Sequence, residues 1–367
     1  MPRNLTVVLA MRDLHRSGLG GANPVSIGSL SVWQMLAKRL SERGDRLVSW
    51  ETLAANPESR DVVVLWDFAS FRQLPRSIQY ARFHRVSWSL ESPLVAHRAY
   101  HQASRIASES QQMLGFSGVR DLLPASLQAR FSPLHYPNER PGLDADIPWS
   151  NRGLAVMINS NKSTARLLTR GSGWPLKARA RIAASAGIAA TYPIRRTWHV
   201  KDFYRVRLDL IKDLGRSGDF SLFGVGWDRT HGDAHGHDDL VRTCYKGRVD
   251  DKYETLRHFR FAMCLENTAF PGYITEKVFD AMFAGCIPIY LGAPDVEHYI
   301  PNEAFIDLRM FRNNAELLEA LRSMRDDEAI TRRHAIEQFL ESEAFGPFRP
   351  DAFVAQFLDA IDQVRRQ

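Results

Sequence analysis

The stretch ENTAFPGYITEKVFDAMFAGCIPIYLG, residues 266–292, decides the fold. It follows an apolar run, Phe261-Ala262-Met263-Cys264-Leu265, bounded by polar residues. Five consecutive apolar positions suit a strand buried on both faces. The connector at 267–273 is turn-rich and contains Pro271-Gly272. Thr275 then stands where its hydroxyl can cap a helix. Val278, Ala281, Met282 and Gly285 recur at helical spacing. Gly285 is placed to end that helix, because a left-handed terminal residue costs glycine little. A second apolar strand, 286–291, closes a β-α-β unit.

The polar residues of this unit, Glu266, Asn267, Tyr273, Thr275, Glu276 and Lys277, gather where the first strand hands over to the helix. In open α/β sheets, ligands bind outside the carboxyl ends of the strands. Lys277 and the free amides of a helix N-terminus favour an anion. Glu276 and Asn267 can exchange hydrogen bonds with sugar hydroxyls. Any one of these residues alone reads equally well as the ordinary surface start of a helix. The ordered set at one strand end is what points to a binding site.

This stretch resembles the signature of the α-1,3/4-fucosyltransferases of glycosyltransferase family 10: E-N, a short variable loop, Y-x-T-E-K, a helix, then x-P-[IV]-x-x-G. The resemblance extends over 244–311, with weaker echoes at 85–93, 131–136 and 155–166. It implies an α/β, GT-B-like architecture of two Rossmann-like domains facing across a cleft. The N-terminal domain would hold the acceptor and the C-terminal one the nucleotide sugar. It also implies inverting transfer of L-fucose from GDP-fucose to a hydroxyl of a glycan acceptor, in α-1,3 linkage, with no metal and no further cofactor.

The resemblance also assigns residues. Trp88 is followed by Glu91-Ser92-Pro93, matching the family stretch whose Glu is the catalytic base. Pro93 keeps Ser92 extended, which sets Glu91 at the end of a strand over 86–90. Without the resemblance, a surface Glu before a turn is the plainer reading. In the polar loop 159–166, Arg166 matches the residue that contacts the donor diphosphate, and Arg170 is the alternative because the spacing varies by about a residue. A guanidinium suits a diphosphate through its planar fork of donors. Lys277 would join it, Asn267 and Glu276 would hold the fucose, and Tyr273 the nucleotide end. Asn161, Gly224, Lys246, Thr275 and Glu266 form a second tier of donor-site candidates. Gly224 lies in Phe223-Gly224-Val225-Gly226, aligned with a strand-end glycine where backbone can approach a ligand closely.

The rest of the chain sets the frame. Its 367 residues suggest two domains. Pro133, Pro137, Pro141 and Pro148 mark a linker. That places an N-terminal domain at 1–150 and a C-terminal one at 151–345, with a last helix in 346–367 packing back across the junction. Strand patterns at 5–11 and 62–68 alternate with a helix pattern at 29–43, as in parallel α/β layers. Gly18, Gly20 and Gly21 lack the spacing of a dinucleotide fingerprint. A helix over 200–214 has Phe203, Val206, Leu210 and Leu214 in register.

A hydrophobic content of 44% and a charged content of 25% are ordinary for a soluble globular protein. The net charge of +6 fits a phosphate-bearing ligand, an anionic membrane or nucleic acid without choosing among them. The absence of a clustered basic run or interleaved aromatics weakens the nucleic-acid-binding alternative. The nearer alternative is the same scaffold with another GDP-linked deoxysugar.

Asp144-Ala145-Asp146 falls in the linker, and His231, His235 and His237 with Asp233, Asp238 and Asp239 read as a hydrophilic loop, so no metal site is expected. His135 reads as structural. Cys244, Cys264 and Cys286 have no metal-type spacing, and this low, odd count suits a reducing compartment. The apolar run near residue 5 is too short for a signal peptide, and no run of about 18 apolar residues offers a membrane span. The anchor of Golgi relatives is not found. The expected location is therefore cytoplasmic, at the inner face of a bacterial membrane, with peripheral association through Arg365 and Arg366.

Overall fold

The computed structural model describes residues 5–10, 29–55, 61–69, 83–142, 147–161, 203–227, 241 and 243–366. The chain divides into two compact units, Met1–Glu139 with Gly346–Gln367, and Arg140–Phe345.

The first unit is built on six strands, β1 (Thr6–Ala10), β2 (Arg46–Ser49), β3 (Val62–Asp67), β4 (His84–Ser89), β5 (Gln112–Gly115) and β6 (Phe131–Pro133). They lie in the order β2-β1-β3-β4-β5-β6, and every pairing is parallel. TVVLA of β1 and VVVLWD of β3 are buried at every position, as strands covered on both faces must be. Helix α1 (Ser29–Glu42) and the C-terminal helix (Pro350–Arg365) pack together in this core. Trp33 of α1, Trp88 of β4 and Phe357 of the last helix form an aromatic triangle with centroids 5.2, 5.3 and 5.5 Å apart. The last helix buries Phe353, Val354, Phe357, Ile361 and Val364 on one side. It is part of this unit's core, and Arg43 pairs with its Asp362.

The division falls at Glu139, ahead of the 150 read from the prolines. Side-chain bonding explains the difference. Arg140 pairs with Glu337 through two hydrogen bonds of 2.8 and 2.9 Å. Arg152, buried, donates to the carbonyls of Ile147, Phe259, Ala284 and Gly285. Both arginines therefore tie the 140–152 segment to the second unit.

His135 stacks on Phe348 at 4.9 Å, and burial pushes its pKa from 6.5 down to about 4. As pH falls, the unfolded chain takes up this proton first. Stability is therefore full above about 6.5 and declines towards pH 4, by up to about 3 kcal/mol. His135→Phe is expected to flatten the stability profile in that window. Urea melts between pH 4 and 7 check this, and an unchanged slope would assign the titration to another group.

The second unit has five strands, β7 (Gly153–Ile158), β8 (Phe220–Phe223), β9 (Phe259–Leu265), β10 (Ile287–Leu291) and β11 (Ile306–Asp307). Their order is β11-β10-β9-β7-β8, again all parallel. The chain runs from β7 outward to β8, then returns to place β9 on the other side of β7. The strand order thus reverses between β7 and β9, the switch point at which open α/β sheets hold ligands. Helix α2 (Tyr204–Gly215) precedes β8, α3 (Lys252–Leu256) precedes β9, and α4 (Glu276–Phe283) joins β9 to β10. Gly285 ends the α4 segment at φ +70°. Asp280 anchors α4 from behind, accepting from Tyr253 Oη at 2.8 Å and pairing with Lys252, both on α3.

The buried face of α2 is rotated from the sequence register. Val206 is 38% exposed while Arg207 is only 1% exposed. The Arg207 guanidinium reaches the carbonyls of Leu265 and Glu266 at the end of β9, at 3.5 and 3.2 Å, and that turns its side of the helix inward. Among the described residues, no helix is long and apolar enough to cross a membrane.

Candidate functional site

Four strand ends of the second sheet build one polar edge. Past β7, the Asn159 amide donates to Phe223 O at 3.0 Å and the Asn161 amide to Val225 O at 2.8 Å. The Asn161 side chain donates to Gly226 O at 3.0 Å and accepts from Tyr204 Oη at 2.8 Å. Past β8, Gly224 turns at φ +133°. A Cβ on Gly224 would lie 2.0 Å from Asn159 O, so the two backbones touch. Tyr245 Oη donates to Gly224 O at 2.9 Å, and the neighbouring Lys246 is exposed. The structure thus gathers Asn161, Gly224 and Lys246 beside one another.

Past β9, Glu266 is 0% exposed. Its Oε1 accepts from the Thr275 amide at 2.8 Å and from Thr275 Oγ1 at 2.9 Å. Its Oε2 accepts from Lys277 Nζ at 3.0 Å. Lys277 Nζ also donates to Thr275 Oγ1 at 2.8 Å and lies 3.5 Å from Glu276 Oε1. The charges tune one another. Burial raises the pKa of Glu266, against the pull of Lys277. Burial opposes the charge of Glu276 too, but Lys277 and Lys252 overcome it and hold that carboxyl down at about 2. Burial likewise opposes the Lys277 charge, and Glu266 and Glu276 hold the ammonium well above its ordinary value. Lys277 is thus a cation held between the carboxyl groups of Glu266 and Glu276. Asn267 Nδ2 donates to Tyr273 Oη at 3.3 Å.

These contacts correct three expectations. The Thr275 hydroxyl does not cap α4; it turns to Glu266, because a buried carboxylate needs donors more than an open helix end needs an acceptor. Glu266 lies beneath the edge, fully buried, its carboxylate taken up by Thr275 and Lys277. Tyr273, 2% exposed, supports Asn267 instead of offering its ring at the surface. Asn161, Asn267, Glu276 and Lys277 are the partly open members. Two members were missed. Gly292 is one: a Cβ there would lie 2.1 Å from Tyr290 Oη and 2.7 Å from Glu266 Cγ, so glycine makes room for both. It closes the quoted stretch and was legible. Arg207 under the end of β9 carried no sequence signal.

In the first unit, Glu91 follows β4 and is half-buried. Its amide donates to Ser89 Oγ at 3.1 Å, its Oε1 accepts from the Ser92 amide at 2.8 Å, and its carbonyl accepts from Tyr100 Oη at 2.7 Å. Burial, with Glu91 and Asp67 nearby, keeps the Tyr100 phenol protonated far above its usual range. Arg166, Arg170, Asp144, Asp146, Gly18, Gly20, Gly21 and the 231–239 histidines and aspartates lie outside the described residues. Among the described residues, no group of three or more His, Cys, Asp or Glu is placed to hold a metal ion. Cys244, Cys264 and Cys286 are buried free thiols.

Two parallel-sheet α/β units, one with a polar edge at its switch point, define the GT-B class of glycosyltransferase fold. A glycosyltransferase from Rickettsia africae shares the fold, with a TM-score of 0.55 and 10% identity over 100% of both chains. Residues 197–337 match the C-terminal domain model of glycosyltransferase family 10 (fucosyltransferase). An Arabidopsis thaliana α-(1,4)-fucosyltransferase is 36% identical over 78 residues, covering 21% of this chain and 20% of that protein. A Helicobacter pylori α-(1,3)-fucosyltransferase is 37% identical over 82 residues, covering 22% and 17%. The chain spans about a fifth of the length of the curated relatives it matches.

Proposed function

We propose that the chain transfers L-fucose from GDP-fucose to a hydroxyl of a glycan acceptor, with inversion at the anomeric carbon. The observation that carries this reading is the polar edge at the β7–β9 switch point: Lys277, Glu276 and Asn267, past β9, lie within the family 10 match, and Asn161, past β7, precedes it. Lys277 meets the diphosphate, joined by Arg166 from the matching polar loop. Glu276 and Asn267 hold the sugar hydroxyls. Glu91, at the end of β4 in the first unit, takes the acceptor's proton as the oxygen attacks. Charge developing on the departing diphosphate is stabilised by groups fixed in advance, which act strongly because they need not reorganise.

Calorimetric titration with GDP, followed by GDP-fucose turnover on a panel of galactosyl-N-acetylglucosamine glycans, tests the reading. Lys277→Ala is expected to weaken GDP binding by about 10- to 100-fold, the range of a lost charge-assisted hydrogen bond. A folded Lys277→Ala protein with unchanged GDP affinity would remove Lys277 from the donor site. Faster turnover of another GDP-deoxysugar would keep the mechanism and change the donor.

A further inference from the structure

We infer that Glu266 is a positioning residue that aims the Lys277 ammonium at the donor's diphosphate without touching the donor itself; this rests on the donor role proposed for Lys277. The first ground is access. Glu266 is fully buried, and the partners of its carboxylate lie at the start of α4: the amide and hydroxyl of Thr275, which precedes the helix, and the Lys277 ammonium.

The second ground is how firmly its backbone is held. The Glu266 amide donates to Leu291 O at 2.8 Å, and its carbonyl accepts from Arg207 Nη2 at 3.2 Å. Gly292 leaves the space its side chain occupies, since a Cβ there would sit 2.7 Å from Glu266 Cγ. The carboxylate is therefore a fixed point, and α4 is hung from it.

The third ground is energetic. A buried ion pair is commonly no more stabilising than apolar residues of the same volume, whereas one partner alone is costly. Stability by itself does not call for Glu266. What the pair supplies is a defined location for Nζ. Glu266 Oε2 at 3.0 Å and Thr275 Oγ1 at 2.8 Å hold it from below. Its third neighbour, Glu276 Oε1, is longer at 3.5 Å and belongs to a side chain 34% exposed. A phosphoryl oxygen arriving from solvent competes with Glu276 and leaves Glu266 in place. Displaced from the ammonium, Glu276 is free to accept from a sugar hydroxyl.

The test is a double-mutant cycle on Glu266→Gln and Lys277→Met. It is read by GDP calorimetry, by thermal melting, and by GDP release from GDP-fucose with the same glycan panel. Glu266→Gln keeps an acceptor for Thr275 but releases the ammonium. Its kcat is expected to fall at least tenfold, because sub-ångström misplacement of a catalytic charge is felt strongly in the transition state. GDP affinity should stay within about threefold, since the lost counter-charge offsets the lost placement. In the Lys277→Met background the same change should cost no further kcat, and the double variant should melt above Lys277→Met, whose buried carboxylate is unpaired. Glu266→Asp, which keeps the charge but draws it back by one methylene, should lose kcat as Glu266→Gln does. An equal kcat loss in both Lys277 backgrounds, or no loss in folded Glu266→Gln or Glu266→Asp, would overturn the inference alone. No turnover by the unaltered chain, or a Lys277→Met protein with normal kcat, would overturn the functional reading and this inference with it.

Discussion

Glu91→Gln is expected to lower turnover by about 10²–10⁴-fold, the range for loss of general-base help. GDP-fucose affinity and melting temperature should stay near those of the unaltered chain. The local structure explains why the fold should tolerate the change. The backbone of Glu91 is held by Ser89 Oγ and Tyr100 Oη, neither of which depends on the carboxylate. The side-chain bond from the Ser92 amide to Oε1 can be accepted equally by the carboxamide oxygen of glutamine. The substitution therefore removes the ability to take a proton while keeping the bond from Ser92. The loss should appear in kcat, because the interaction is made in the transition state. Near-normal turnover would show that Glu91 only shapes its turn and that the base lies elsewhere. A loss of donor binding would instead make it part of the donor site.

The sequence made the β-α-β core of the second unit legible because each element there repeats its local signal. Phe261 to Leu265 are apolar in a row and buried in a row, and Gly285 takes the left-handed position its place implied. The last helix was legible for the same reason, its stripe being wide and regular. What the sequence could not show is depth. Glu266 and Glu276 are both acidic residues near one strand end, yet one lies under the edge and the other opens onto it. Only the packing of Gly292 and Tyr290 separates them. Arg207 fails for a related reason. Periodicity assigns a lone arginine to solvent and its valine neighbour to the core, but the carbonyls at the end of β9 reverse that preference. Polar groups at a sheet end are satisfied by long-range partners, here some sixty positions apart, and a local pattern does not encode them.

Gly224→Ala should destabilise the protein more than a surface change can, and should damage the polar edge at the same time. Two costs combine. At φ +133° an L-residue is strained, at about 1–3 kcal/mol. The added methyl would also fall 2.0 Å from Asn159 O and 2.6 Å from its carbonyl carbon, atoms of backbone that cannot rotate aside. Overpacking of this kind typically costs a further 1–3 kcal/mol. Together they take a large share of the about 5–15 kcal/mol that holds a domain folded. If the chain relaxes, Asn159 must move, and with it the bonds that set Asn161 against Val225, Gly226 and Tyr204. GDP affinity should therefore fall along with the melting temperature. Gly218→Ala separates the two costs, because Gly218 also has a positive φ, +79°, but nothing lies within 4 Å of its missing Cβ. It should show a backbone penalty of about 1 kcal/mol and normal GDP binding. Equal melting temperatures for the two variants would mean that the Asn159 backbone yields without cost, and the close approach of β7 and β8 ends would then not define this edge.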